Sequence, residues 1–222
     1  MFCWPFYLVA VGLIQKKTTM IQNENIAVFL DRDGTIIEDR GHLRNPSEVV
    51  FFPETLEALW KLMEHFVLFI VTNQPGISKG LIRHNEVNRV NIHLIKTLAK
   101  EGIEITDTYV CPHSRTDDCV CIKPKPYFLK KAADDYHIDL RRSFVIGDHP
   151  HDVQLAGNAG ARGIYLLTGH GRKHLPELPE DTDLAAGIMQ AAEKIISLYQ
   201  ADMSKNVANK RKGEFFAVGK RY

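Results

Sequence analysis

No stretch of this chain reaches the roughly 20 consecutive apolar residues that cross a bilayer, and neither sign of charge dominates, since 28 Lys and Arg face 27 Asp and Glu. Residues 205–222 alone carry a local +5 within a formal total of +1, so the remainder stands at −4. An acidic body makes no electrostatic case for nucleic-acid binding. Cysteine is scarce as well, with four in 222 residues, and three of them (Cys111, Cys119 and Cys121) fall within eleven residues beside His113. That excludes a disulfide-dense secreted scaffold and favours a metal and the reducing cytosol, so a cytoplasmic protein is expected.

Met1 to Ile14 are nearly all apolar and precede Lys16 and Lys17. They lack a basic region before the apolar run and a small-residue cleavage site, so they do not make a signal peptide. Residues 1–19 are read as an apolar leader outside the fold, an upstream extension or mis-called start, with a membrane-associating N terminus as the alternative; Met20 lies six residues before the first strand.

Strand-length apolar runs alternate with helical patterns from residue 26 to about 200, the signature of strand-helix-strand units and a parallel sheet. The expected strands are Ile26 to Leu30, Phe66 to Val71, Thr108 to Val110, Ser143 to Ile146 and Gly163 to Leu167. Their unbroken Val, Ile, Phe and Leu suit strands covered on both faces. Helices are expected over Pro53 to His65, with Pro53 at the first position and Leu56, Leu59, Trp60 and Met63 on one face, and over about 84–101, 126–137 and 152–158. Asp183 to Tyr199 is amphipathic, while the basic tail, residues 201–222, shows no helical periodicity after Ser204. One α/β domain over residues 20–200 follows, a three-layer open sheet, mostly parallel.

Ligands of an open parallel sheet bind at the carboxyl ends of its strands. The segments there are Asp31-Arg-Asp-Gly-Thr35, Thr72-Asn-Gln-Pro-Gly76, Cys111-Pro-His113 and Gly147-Asp148. Asp31 and Asp33 sit two apart and repel unless a cation offsets them. Mg2+, which prefers carboxylate, carbonyl and phosphate oxygens, resolves that repulsion, with Asp148 as the third carboxylate and Asp152 one turn later as a brace. A single Asp after a strand is more often a turn or N-cap residue; several such elements in order are not. Cys111-x-His113, five residues, then Cys119-x-Cys121 offers three thiolates and one imidazole, a complete tetrahedral set for a structural Zn2+; the plainer reading is a loop of three idle cysteines.

The run Phe29 to Ile36, the Thr72-Asn73 pair, Lys123 and Gly147-Asp148-x-x-x-Asp152 together resemble the haloacid dehalogenase superfamily of phosphatases over about residues 26–170. The resemblance implies a Rossmann-like core without a large cap domain. It implies Asp31 as nucleophile, Asp33 as general acid and base, Thr72 and Lys123 as phosphoryl-oxygen ligands, and Mg2+ held by Asp31, the Asp33 carbonyl and Asp148. The zinc loop of residues 111–121 narrows the similarity to the small branch with D-glycero-D-manno-heptose 1,7-bisphosphate 7-phosphatase and histidinol-phosphate phosphatase. Substrate contacts are then expected from Asp39, Arg40, Gly41 and His42, from Asn73, Gln74, Pro75 and Lys79, and from Ile122 and His149. These two loops look like the heptose enzyme, whereas the five-residue zinc spacer looks like histidinol phosphatase. Such relatives usually carry Arg where this chain has Ile122. A small phosphorylated metabolite, a monomeric state and no nucleic-acid or membrane partner are expected. A nucleic-acid 3'-phosphatase and a non-catalytic phospho-receiver or binding module are the competing readings.

Overall fold

The computed structural model describes residues 25–218, with side chains for residues 25–205; the apolar leader lies outside the described residues. Six strands form one sheet in the order β3-β2-β1-β4-β5-β6, every pair parallel. They are β1 (Ala27–Leu30), β2 (Val67–Asn73), β3 (Asp107–Cys111), β4 (Phe144–Gly147), β5 (Arg162–Leu166) and β6 (Leu184–Ala185). The helices are α1 (Thr55–Met63), α2 (His84–Lys100), α3 (Tyr127–Tyr136), α4 (Pro150–Ala159), the short α5 (Gly171–His174) and α6 (Ile188–Val218).

The continuous apolar run of β1 is explained by two cores, one on each face. Val28 and Leu30 pack with Leu59 and Leu62 of α1, Leu94 of α2 and Ala192 of α6. Ala27 and Phe29 face Phe128 and Leu129 of α3 and Leu155 of α4. Alternate side chains of an extended strand point to opposite faces, so a strand buried on both must be apolar throughout. Phe29 stacks on Phe69 of β2 with ring centroids 5.1 Å apart, which pins the register Phe29 to Phe69.

Five expected strands occur within one or two residues, and the differences place chemistry differently. Thr72, Asn73 and Cys111 belong to strands rather than following them, because β2 and β3 pair as far as Asn73 and Cys111. β6 is a sixth strand at the start of the segment expected to be helical, and α6 begins only at Ile188. Two residues carry too little pattern to announce a strand. Pro53 is not the first helical position: Glu54, left-handed at φ 63°, separates it from α1. The inward stripe of α1 is Thr55, Ala58, Leu59 and Leu62, which leaves Trp60 51% exposed. The tail after Ser204 continues as helix to Val218, contrary to the absence of periodicity, since a helix already formed and packed propagates cheaply. Among the described residues no helix is long and apolar enough to cross a membrane.

Candidate active site

The carboxyl edge of the sheet opens into a cavity of about 470 Å³ whose floor includes Asp31, Asp33, Thr72, Lys123, Asp148 and Asp152. Asp31 extends the β1 ladder by one residue, its amide donating to the Ile146 carbonyl at 2.9 Å. Gly34 then turns the chain back at φ 83°, a conformation for glycine. A Cβ at Gly34 would lie 2.1 Å from Asp148 Oδ2, and one at Gly169 2.2 Å from the same atom. Asp148 is therefore held in a cradle of two glycines, where it also accepts a bond from the His170 amide at 2.7 Å.

Lys123, 5% exposed, donates to Asp31 Oδ1 and, at 2.6 Å, to Asp152 Oδ1. Asp152 Oδ2 accepts from the His149 amide at 3.1 Å, which fixes the start of α4 and makes Asp152 a brace for Lys123. Desolvation weakens the ammonium, but Asp152 and Asp31 outweigh it and push Lys123 above its ordinary value, so it stays charged. Burial pushes the Asp31 carboxyl well up despite Lys123. Burial, with Asp152 alongside, pushes Asp148 up to about 6.

Asp33 lies among donors that the sequence did not announce. Arg32, fully buried, grips it through Nε at 3.1 Å and Nη2 at 2.7 Å and reaches Asn91 of α2 with Nη1 at 2.7 Å. Gln74, expected against substrate, lines the cavity and donates to Asp33 Oδ2 at 2.7 Å and to Thr72 Oγ1 at 3.0 Å. A fully buried arginine has no sequence signature, since Arg is an exposed residue by default.

The charge balance and the donor set fit a hard divalent cation. With all four ionised, the carboxylates of Asp31, Asp33, Asp148 and Asp152 exceed the two buried cations, Lys123 and Arg32, by two negative charges. Oxygens of Asp31, Asp148 and Asp152 lie within 4.8 Å of one another. An all-oxygen donor set with unbalanced charge in a glycine-walled cradle suits such an ion.

The second cluster, Cys111, His113, Cys119 and Cys121, is brought together as well. Its sulfur-sulfur separations are 3.4, 3.8 and 4.0 Å, and His113 Nδ1 lies 3.8 and 3.5 Å from Cys111 and Cys121. A tetrahedron with metal-sulfur bonds of about 2.3 Å has edges near 3.8 Å. The four atoms therefore already stand near the corners of a closed tetrahedral site.

Of the expected substrate contacts, Asp39, Gly41 and His42 line one part of the cavity, and Asn73, Pro75 and Lys79 another. Ile122 and His149 line it too, with His149 lowered to about 4 by burial and by His151. Asn73 Oδ1 also accepts from the Lys123 amide at 3.2 Å. Arg40 is not among the lining residues; it is exposed and pairs with Glu38 at 2.9 Å. Ser114, Arg115, Thr116, His151 and His170 line the cavity without having been singled out; the first four are the unassigned positions of recognised motifs, and His170 follows β5.

The HAD-hydrolase-like family model matches residues 120–190. The D-glycero-beta-D-manno-heptose-1,7-bisphosphate 7-phosphatase of Bordetella bronchiseptica is 31% identical over 173 residues, covering 76% of this chain and 97% of that protein. The crystal structure of the D,D-heptose 1,7-bisphosphate phosphatase from B. bronchiseptica, complexed with magnesium and phosphate, superposes with a TM-score of 0.72 at 31% identity, covering 78% of this chain and 98% of that one. The histidine biosynthesis bifunctional protein HisB of Buchnera aphidicola is 33% identical over 145 residues, covering 64% of this chain and 40% of that protein. With the acidic cluster at the end of β1, the parallel sheet and near-complete coverage of a relative, this chain belongs to the haloacid dehalogenase-like phosphatases, in the branch that holds the heptose bisphosphate phosphatases.

Proposed function

We propose that this phosphatase hydrolyses a small sugar phosphate, a D-glycero-D-manno-heptose 1,7-bisphosphate at its 7-phosphate, through an aspartyl phosphate on Asp31. The observation that carries the reading is the convergence of Asp31, Asp33, Thr72 and Lys123 on one cavity at the carboxyl edge of the sheet. Asp31 attacks phosphorus, dividing one difficult hydrolysis into two easier steps. Asp33 protonates the departing sugar oxygen, then takes the proton of the water that opens the aspartyl phosphate. Arg32 and Gln74 orient the Asp33 carboxyl. The Thr72 hydroxyl accepts from Gln74, which leaves its own proton for a phosphoryl oxygen. Lys123 has spent two of its three donors on Asp31 and Asp152 and keeps one for the phosphoryl group. Asp31, the Asp33 carbonyl and Asp148 would hold a Mg2+ ion, which when bound would supply positive charge to the phosphoryl oxygens. Zn2+ in the Cys111, His113, Cys119, Cys121 set is structural, since four ligands leave no open position. A cytoplasmic monomer without nucleic-acid partners fits the acidic body.

The alternative, histidinol phosphate, is favoured by the five-residue spacer between His113 and Cys119 and by the similarity to HisB. Phosphate release across heptose bisphosphates, other sugar phosphates, histidinol phosphate and a 3'-phosphorylated oligonucleotide decides between them. The heptose 1,7-bisphosphate is expected to give the highest kcat/KM; histidinol phosphate ahead of every sugar would replace this reading by its alternative.

The metal has a stability signature of its own. Asp148 has a folded-state value of about 6, above that of an unfolded carboxyl. Its neutral form stabilises the metal-free fold at low pH, and that contribution is lost as pH rises through about 6. A cation reverses the cost of ionisation. Added Mg2+ should therefore raise the melting temperature at pH 7.5 by several degrees and at pH 5 by far less, where protons compete; equal shifts at both would contradict the assignment.

A further inference from the structure

The loop that carries the thiolate cluster also carries an arginine that the chemistry at Asp31 does not use. Arg115 is exposed and lines the cavity that holds Asp31. Its Nη2 donates to His151 Nδ1 at 2.9 Å. His151 in turn stacks on His149, ring centroids 4.4 Å apart, with the two Nδ1 atoms at 2.6 Å. The side chain is thereby laid across from the loop to the first turn of α4.

The loop is held in place for this. Asp117 Oδ2 accepts from the Ser114 amide at 2.7 Å, and the Ser114 and Thr116 hydroxyls bond at 2.8 Å. The Ser78 amide donates to the Pro112 carbonyl at 3.1 Å, joining this loop to the one after β2. The cation in its middle is left without a counter-charge. Among the described residues Arg115 makes no ion pair, whereas Lys123 is bound by Asp31 and Asp152, and His170 by Asp39 at 2.9 Å. Of its five donors the structure uses one toward His151. Beside Lys123, Ile122 lines the cavity and brings no charge to it.

We propose that Arg115, braced by His151, is the anchor for a second anionic group of the substrate, the phosphate distal to the one cleaved, and that it supplies from the thiolate loop the charge that Ile122 does not. A planar guanidinium fork recognises phosphate through two parallel bonds, which selects for an anion at that end of the molecule and against an ammonium. A cavity of about 470 Å³ is of the size that encloses a whole small ligand. This is a specificity residue; it touches no reacting atom. The inference rests on the reading of the site as a sugar-phosphate phosphatase.

The test compares kcat/KM for two matched pairs, heptose 1,7-bisphosphate against heptose 7-phosphate and glucose 1,6-bisphosphate against glucose 6-phosphate, in the parent and in Arg115→Ala and Arg115→Lys. The parent should prefer the bisphosphate of each pair. Arg115→Ala should reduce that preference by about ten- to a hundredfold, the weight of one charge-assisted contact, with Arg115→Lys between, since it keeps the charge and loses the fork. As Arg115 is exposed and unpaired by any carboxylate, thermal melting should show the variants folded. A preference that survives in Arg115→Ala would overturn the anchor and leave the heptose reading standing. A preference confined to the glucose pair and abolished in Arg115→Ala would sink the heptose reading and uphold the anchor. A parent that prefers neither bisphosphate would overturn both.

Discussion

Asp31→Asn is expected to end turnover, with kcat falling by about four orders of magnitude or more, as for removal of a nucleophile that acts as one unit with its neighbours. An amide does not attack phosphorus, and it withdraws one negative charge from the cation's oxygens. No phosphorylated protein should be trapped by acid quench from a labelled substrate. Stability should move differently from activity. Burial already pushes Asp31 toward its neutral form, and Lys123 keeps Asp152 as a partner, so the neutral amide should not lower the melting temperature of the metal-free protein. Asp33→Asn makes the contrast. It should slow both the formation and the opening of the aspartyl phosphate and retain most Mg2+ affinity, because the main-chain carbonyl proposed as the ligand is untouched. Near-normal turnover by Asp31→Asn would remove the covalent mechanism, and equal loss of Mg2+ binding in both variants would remove the division of roles.

The parts of the site that sequence reasoning reached share one property: they follow from topology. A parallel sheet puts the carboxyl ends of all its strands on one edge, so Asp31 after β1, Thr72 at the end of β2 and Asp148 after β4 meet once the strands are recognised. Strands β1, β2 and β4 were legible because burial on both faces demands nearly unbroken apolar runs, and β3 and β5 through shorter ones; β6, with two residues, offered no run to see. What escaped depends on side-chain direction. Arg32 stands between two acidic residues and would be read as solvated, yet it turns inward to Asp33 and Asn91 and is fully buried. Gln74 belongs to a loop read as substrate-holding and, while lining the cavity, also donates to Asp33. Arg40, read with the same intent, turns to Glu38 outside the cavity. Trp60 shows the limit on a helix, where one residue's shift of the inward stripe separates a core side chain from an exposed one. Arg115 joins the site through a loop whose path brings Cys111, His113, Cys119 and Cys121 together, a constraint that periodicity does not express.

If that cluster holds the proposed Zn2+, removal of one of its four side chains should damage the fold and the chemistry together. Cys111 is the last residue of β3, an edge strand, and Cys119 and Cys121 are buried with Val71, Tyr109 and Phe128 in the core on that face. Two residues beyond Cys121 stands Lys123, whose amide bonds to Asn73 and whose ammonium bonds to Asp31 and Asp152. Three thiolates cannot remain ionised in an apolar core without a cation, and structural zinc sites in small modules hold their metal with on the order of 10 kcal/mol. Losing even a few kcal/mol of that lowers the melting temperature by about 10 °C in a domain of this size. Cys119→Ser, or a thiol-selective chelator applied in excess Mg2+ so that the oxygen site stays saturated, should therefore lower both the melting temperature and kcat. Added Zn2+ should restore the chelated protein, and further Mg2+ should not. Elemental analysis of protein purified without chelators should find about one zinc per chain. A chain free of zinc, or a Cys119→Ser variant that melts and turns over like the parent, would leave the four residues as a packed loop and nothing more. A loss of kcat with the melting temperature unchanged would also count against a structural ion, because a metal that braces Lys123 through the loop has to hold the loop itself.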